Sequence, residues 1–171
     1  MTVTPVAHEA IAISKLLQMV SECPEWQVAT GSTSAAGALD YLYFPEKRNE
    51  TEDQQADQSP PVFGVVKETD SATDFVAGGG KNYFTLRGTL ELQLVRQMQS
   101  DNVQDEAMHV LNLFGAVRTH LLDYAALDDY LAIVSIQRTE LIQSSDKHVA
   151  GYKVQKPFHK AVFVIEWGPG A

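Results

Sequence analysis

The residues of this chain with the means to do chemistry are few. They are five histidines, one cysteine, a glycine run ending in lysine, and one pair of adjacent aspartates. Gly78-Gly79-Gly80-Lys81 invites comparison with a phosphate-binding loop. That loop needs G-x-x-x-x-G-K-[ST] between a strand and a helix, so that backbone N–H groups and the helix dipole face the phosphates. Here Phe75 stands where the first glycine is required, Asn82 stands at the Ser/Thr position, and a strand pattern follows. The run reads as a hinge or turn.

His109 and His120 lie eleven residues apart on one predicted helix, three turns, too far for a single metal ion. His8, His148 and His159 belong to no ligand motif such as H-E-x-x-H, and all five read as solvated or half-buried side chains. Cys23 precedes Pro24 at the predicted end of a helix, where the dipole does not activate a thiol, and reads as a small packing residue. No serine sits in a G-x-S-x-G elbow. Asp128-Asp129 reads as two solvated acids in a turn. An enzyme would need distant groups to meet in a cleft, for example His109 or His120 with Asp128. The sequence thus predicts no catalytic residue, no cofactor and no metal site.

Composition narrows the classes further. The 171 residues, 44% hydrophobic and 20% charged, suit one globular domain over 1–171. Thirteen Lys+Arg against 22 Asp+Glu give a charge of -9, the wrong sign for a surface that coats nucleic-acid phosphates. One cysteine excludes an internal disulfide framework and points to a reducing compartment. No apolar run reaches the roughly 18 residues of a membrane span, and Met1–Pro5 lacks the basic start of a signal peptide.

The elements follow from periodicity. A first helix runs Pro5–Glu22, capped by Thr4, with Val6, Ala10, Ile13, Leu16, Leu17 and Val20 as its apolar stripe. Residues 27–37 have a loop composition. Asp40–Phe44 and Val62–Lys67 read as strands of a hairpin. Between them Pro45–Pro61, almost free of apolar residues, reads as a mobile acidic loop, centred on 46–59. Glu68–Asn82 reads as irregular. Tyr83–Arg96 alternates, with Phe84, Leu86, Leu90, Leu92 and Leu94 on one face and Thr85, Arg87, Thr89, Glu91 and Gln93 on a wet face. Asp101 or Asn102 caps a second helix, whose stripe is Val103, Ala107, Val110, Leu111, Phe114, Val117 and Leu121. Leu131–Ile142 and Val154–Trp167 are the last strands, joined by a turn over 144–151, and 168–171 reads as a frayed tail. The order α-β-β-β-α-β-β predicts an α+β fold: a mostly antiparallel sheet of about five strands against two amphipathic helices.

Charge is unevenly spread. Residues 45–74 hold three basic against eight acidic residues; 144–171 hold four lysines against two acids. Complementary contact between copies, head to tail, is one use of such a division.

This layout resembles the tail terminator (tail completion) proteins of long-tailed bacteriophages. The resemblance lies in the order of elements: helix Pro5–Glu22, the Asp40–Phe44 and Val62–Lys67 hairpin with its long polar loop, and the Gly-rich approach Ala77–Asn82. Strand Tyr83–Arg96, helix Asn102–Tyr124 and the two final strands complete it. It implies a structural virion protein and no enzyme. Such proteins form rings, usually hexameric, that cap the tail tube, stop its polymerisation and meet the head–tail connector. The implied partners are further copies of the chain, the tail tube protein and the connector, with no membrane. DNA passes through the lumen without specific binding, and an acidic lining repels it. The implied location is the virion tail or neck, with assembly in the host cytoplasm. The resemblance makes Glu46, Glu50, Glu52, Asp53 and Asp57 a lumen or docking loop, and Phe75, Val76, Lys153, Lys156 and Lys160 candidate subunit contacts. The alternatives are a head-completion adaptor or stopper and, from another class, a small dimeric ligand-binding or regulatory module.

Overall fold

The computed structural model describes residues 7–44, 60–78, 81–123 and 131–169, with the side chains of 72–86 outside that description. The expected acidic loop over 45–59 therefore lies outside the described residues. The fold is α+β, as its alternating and helical patterns predict. Five strands, β1 (Leu42–Tyr43), β2 (Val62–Gly78), β3 (Lys81–Gln97), β4 (Leu131–Ser144) and β7 (Phe158–Pro169), form one mostly antiparallel sheet in the order β1-β2-β3-β7-β4, and a two-stranded ribbon of β5 (His148–Val149) and β6 (Tyr152–Lys153) accompanies it.

The N-terminal third is more helical than its composition suggests. α1 spans His8–Glu22 and starts after Ala7, an extended residue with no side-chain cap; the expected cap and start at Thr4 and Pro5 lie outside the described residues. Its buried face is Ala12, Ile13, Leu16, Met19 and Val20. Ala10 and Leu17, expected on that stripe, are only half-buried. Residues 27–37 are not a loop. α2 (Pro24–Thr30) and α3 (Ala35–Leu39) occupy most of them. The polar residues there act as caps: Ser34 Oγ accepts from Gly37 N–H at 3.1 Å. Trp26, wholly buried on α2, donates its indole N–H to the Ala38 carbonyl at 3.3 Å and ties the two short helices together.

β1 is only Leu42–Tyr43, and it pairs with β2 (Val62–Gly78) in parallel, not as the expected hairpin. Parallel strands cannot be joined by a tight turn, and a long polar stretch of sequence separates these two. β2 also absorbs most of the segment expected to be irregular. It runs antiparallel to β3 (Lys81–Gln97) from Val62↔Arg96 to Gly78↔Lys81, with one register shift between Glu68 and Asp70. Gly79 and Gly80 separate the last pair in sequence, residue types suited to a two-residue hairpin connection.

β3 is bonded to β7 (Phe158–Pro169) only from Gly88↔Trp167 to Gln97↔Phe158. The seven β2–β3 pairs from Ala72↔Arg87 to Gly78↔Lys81 thus have no third strand among the described residues. They form an arm of about 20 Å. Among the described residues β4 (Leu131–Ser144) pairs with β7 alone and ends the other side of the sheet. Gly168 and Pro169, expected to fray, pair with Ala132 and Leu131.

α4 (Val103–Asp123) is capped by Asn102, whose Oδ1 accepts from the N–H groups of Gln104 and Asp105 at 3.1 and 3.2 Å. It buries Val110, Leu113, Phe114, Val117 and Leu121, whereas Val103 and Leu111, expected inside, are exposed. α1, α2 and α4 share one core with Leu90, Leu92, Leu94, Phe163, Ile165 and Trp167 of the sheet. The opposite face is not wholly wet. β5 (His148–Val149) and β6 (Tyr152–Lys153) join through Ala150 and Gly151, both at positive φ (48° and 77°), and fold back over it. Val149, Tyr152 and Val154 bury Phe63, Val65, Val95 and Phe158 there. No helix among the described residues is long and apolar enough to cross a membrane.

Two glycines test this packing with opposite signs. A Cβ on Gly88 would lie 2.5 to 2.7 Å from Cζ2, Cε2 and Nε1 of Trp167, a ring 1% exposed that has no room to retreat. Gly88→Ala is expected to cost about 2–3 kcal/mol in urea unfolding. A Cβ on Gly115, in α4, meets nothing within 4 Å, and Gly115→Ala is expected to stabilise by about 0.5–1 kcal/mol.

Candidate functional site

The end of β3 and the start of α4 are connected by only five residues, and the sequence spends its most deeply buried charge there. Glu106 follows the buried phase of α4, one turn before Val110, and is 1% exposed. Its Oε2 accepts from Arg96 Nε at 3.2 Å and its Oε1 from the backbone N–H of Gln99 at 3.1 Å. Burial pushes this carboxyl up, but the hydrogen bond from Arg96, the Gln99 N–H and the guanidinium charge together hold it below the usual carboxylate value. Arg96 is the register partner of His159 on β7. His159 is buried, and burial lowers its pKa; Glu106 pulls it up and Arg96 pushes it down, leaving a net depression. Its Nδ1 has no hydrogen-bond partner.

Gln97, the next residue, is a buried clamp. Its Oε1 accepts from the N–H groups of Gln155 and Lys156 at 3.0 and 3.3 Å, and its Nε2 donates to the Pro60 carbonyl at 3.0 Å. Main-chain bonds reinforce it: Gln97 N–H to Pro61 O at 2.7 Å and Met98 N–H to Pro157 O at 2.8 Å. One amide thus fixes both the entry to β2 and the segment leading into β7. Above it Tyr43 and Tyr152 stack at 4.7 Å, and Phe63 meets Tyr152 at 5.5 Å in a tilted arrangement. Burial, with the charges of Tyr41 and Asp40, pushes the Tyr43 hydroxyl up.

Three of the expected contact residues fall on this end of the molecule. Lys153 ends β6 and is exposed, as is Lys156. Lys160 is not a free cation, since its Nζ lies 3.6 Å from Glu140 Oε2 across the β7–β4 pair. Phe75 and Val76 are placed on the arm, paired with Phe84 and Tyr83, in a strand where an irregular segment was expected. Glu46, Glu50, Glu52, Asp53 and Asp57 lie outside the described residues, as does Asp128.

Cys23 calls for a correction. It ends α1 but also occupies the N-cap of α2, so it does stand at a helix N-terminus. Burial nevertheless raises its pKa, the Trp26 backbone N–H offsets this only in part, and Glu25, with Oε2 3.4 Å from Sγ, raises it further. The thiol is buried and protonated, consistent with a packing residue. No group of three His, Cys, Asp or Glu among the described residues is placed to hold a metal ion.

Several hollows open on the surface of the described residues. One of about 480 Å³ lies between α2 and α4, lined by Glu25, Val28, Arg96, Gln99, His109 and Asn112. One of about 380 Å³ lies at the far end of the sheet, beside Asp70, Arg87, Thr89 and Glu166. Another, of about 720 Å³, runs along the outer side of α1. Set against protein-family models and against curated proteins, the chain matches none.

Sequence reasoning missed the Arg96–Glu106–His159 group. The available signal was phase: Glu106 lies at i−4 from Val110, and Arg96 follows Leu92 and Leu94 on the core side of β3.

Glu106→Ala is expected to cost about 3 kcal/mol, because Arg96 and the Gln99 N–H lose their acceptor in a site closed to water. The pH dependence follows from both depressed groups. His159 binds fewer protons folded than unfolded, so its contribution is present above its ordinary value near 6.5 and is lost as pH falls through its folded pKa. Glu106 contributes fully above its ordinary value near 4.5 and loses that as pH falls through its lower folded pKa. Urea midpoints measured from pH 7.5 to 3.5 should fall in two stages, and His159→Gln should remove the upper one.

Proposed function

We propose that this chain is a structural ring protein of a long-tailed bacteriophage, namely the tail terminator that caps the tail tube, stops its growth and meets the head connector. The observation that carries the reading is the pair of open edges on one sheet. Among the described residues β4 bonds to β7 on one side only, and on the far side β1 covers β2 only at Gly64 and Val65. The exposed half of β4 carries Leu141 and Ile142, and Val134 is 64% exposed. Two register shifts, between Ile133 and Ser135 and between Arg138 and Glu140, bend it. Such bulges are common protection for edges in chains that stay monomeric, yet apolar residues on an open edge favour a neighbour.

The two edges differ in sequence and face opposite ways. A contact joining them is heterologous, and a heterologous contact that closes makes a ring. A charge of -9 suits a channel through which DNA slides without sticking. The same features serve a head-completion adaptor or stopper, a closely allied role. The dimeric ligand-binding module has one supporting observation, the hollow between α2 and α4 where Arg96, His109 and Asn112 meet.

Light scattering after size exclusion, across concentration and at two salt levels, tests the reading. A discrete particle of about six copies is expected. A chain that is monomeric alone should still form a ring at the end of a purified tail tube, visible in negative stain. A two-fold dimer of constant mass, with no ring on tubes, would overturn it in favour of the ligand-binding module.

A further inference from the structure

We infer that the hollow between α2 and α4 is a binding site for a small monocarboxylate with an apolar body, and that the guanidinium of Arg96 holds the carboxylate. The inference goes beyond the ring reading and does not depend on it.

The site rests on the divided use of one side chain. A guanidinium carries five N–H donors in a fixed fork. Arg96 gives its Nε to Glu106 Oε2 at 3.2 Å, and among the described residues neither of its Nη atoms has a hydrogen-bond acceptor. The side chain is only 12% exposed, and it lines the hollow. Donors so placed, largely withdrawn from water, favour an acceptor that enters beside them. The outer edge of the fork, Nη1 with Nη2, matches the two oxygens of a carboxylate. Glu106, 1% exposed and itself held by the Gln99 N–H at 3.1 Å, keeps the fork in place, so little side-chain ordering remains to oppose binding.

The rest of the lining sets the class of ligand. About 480 Å³ lies within the roughly 300–1,000 Å³ of small-molecule sites. Val28, Ala29 and Leu113 give apolar walls, and the amides of Gln99 and Asn112 add polar groups. The charge of Arg96 is already shared with Glu106, and Glu25 is a second acid in the lining. That leaves too little positive charge for a dianion such as a phosphate monoester, and a single negative charge suits the site. The lining residues come from 24–29, 96–99 and 109–113, and they adjoin none of the segments outside the description. Gln97, on the other face of β3, is the residue that holds Pro60, where the 45–59 segment ends.

Saturation-transfer NMR on the full chain tests this, since it reads the protons of the ligand whatever the state of assembly. The probes share one phenyl ring: benzoate, its neutral isostere benzamide, and phenylphosphonate. At about pH 8 benzoate is expected to bind saturably and about tenfold more tightly than either of the others. Glu25→Gln removes an acid from the lining and should tighten benzoate about threefold. Val28→Glu, at a position 81% exposed, should weaken it by a similar factor, and benzamide should be unmoved by either change. Arg96→Lys keeps a cation for Glu106 but loses the fork; in a variant folded by circular dichroism, benzoate should bind about tenfold more weakly. Where that variant does not fold, the two substitutions at exposed positions decide. No saturable benzoate binding, benzamide or phenylphosphonate bound as tightly as benzoate, or a benzoate affinity indifferent to Glu25→Gln and Val28→Glu would overturn the inference. Light scattering of the unmodified chain judges the ring separately, because neither a ring nor its absence changes what the hollow holds.

Discussion

A carboxylate sealed from water must be held by donors, and the architecture around Glu106 answers that demand. Arg96 supplies one bond and the Gln99 backbone the other, so the last turn of β3 and the first turn of α4 are fixed by one side chain. Arg96 can serve only because β3 ends in phase, with Leu92, Leu94 and then Arg96 on the core side. Gln97, one residue on, takes the opposite side and holds Pro60, Gln155 and Lys156. Two neighbouring residues thus lock the helix to one face of the sheet and the β5–β6 ribbon to the other. A helix dipole adds to the preference for an acid in the first turn of α4.

That lock sits at one end of β3, and the consequences run along the strand. From Gly88 to Gln97 β3 has neighbours on both sides and a covered core face. Trp167 closes this region by lying against Gly88, where no Cβ fits. Beyond it β7 ends its pairing and the β2–β3 hairpin continues alone. Among the described residues the sheet is thus tied to α4 at one end of β3, runs on as two strands at the other, and has no strand beyond β4. Here Arg96 and Glu106 pair with each other, Lys160 pairs with Glu140, and the Cys23 thiol is held protonated by burial.

The parts that were legible in the sequence are those where one physical signal dominated. Alternation found β3, whose Leu90, Leu92 and Leu94 are all buried, and β-branched runs found β4 and β7. The 3.6-residue repeat found α1 and α4. The misreadings have a common cause, which is that tertiary partners change what a residue type means. Ser34 and Gly31 look like loop residues because caps and loops use the same chemistry. Glu68–Gly78 looks irregular because its ladder partner, not its own propensity, makes it a strand. Leu111 looks buried by type, yet phase places Leu113 inward instead. At the candidate contact surfaces, residue type located the lysine-rich end but not the Lys160–Glu140 pair, which depends on the β4–β7 register. The α1 groove was invisible, since it exists only because α1 turns Ala12 and Leu16 inward and leaves Ala10 and Leu17 at its side.

Net charge sets a final condition on any assembly of this chain. Copies bearing -9 each repel one another, and the repulsion grows with every copy added. At physiological ionic strength the screening length is about 8 Å, so charges farther apart than that contribute little and the local contact decides. The cohesion of the proposed ring must then come from apolar burial at the joint, with charge setting register more than strength. In the proposed ring, an apolar joint would let an acidic lumen coexist with closure: the surface that repels DNA and the surface that binds the neighbour would be different parts of the molecule, and only the second would have to be cohesive.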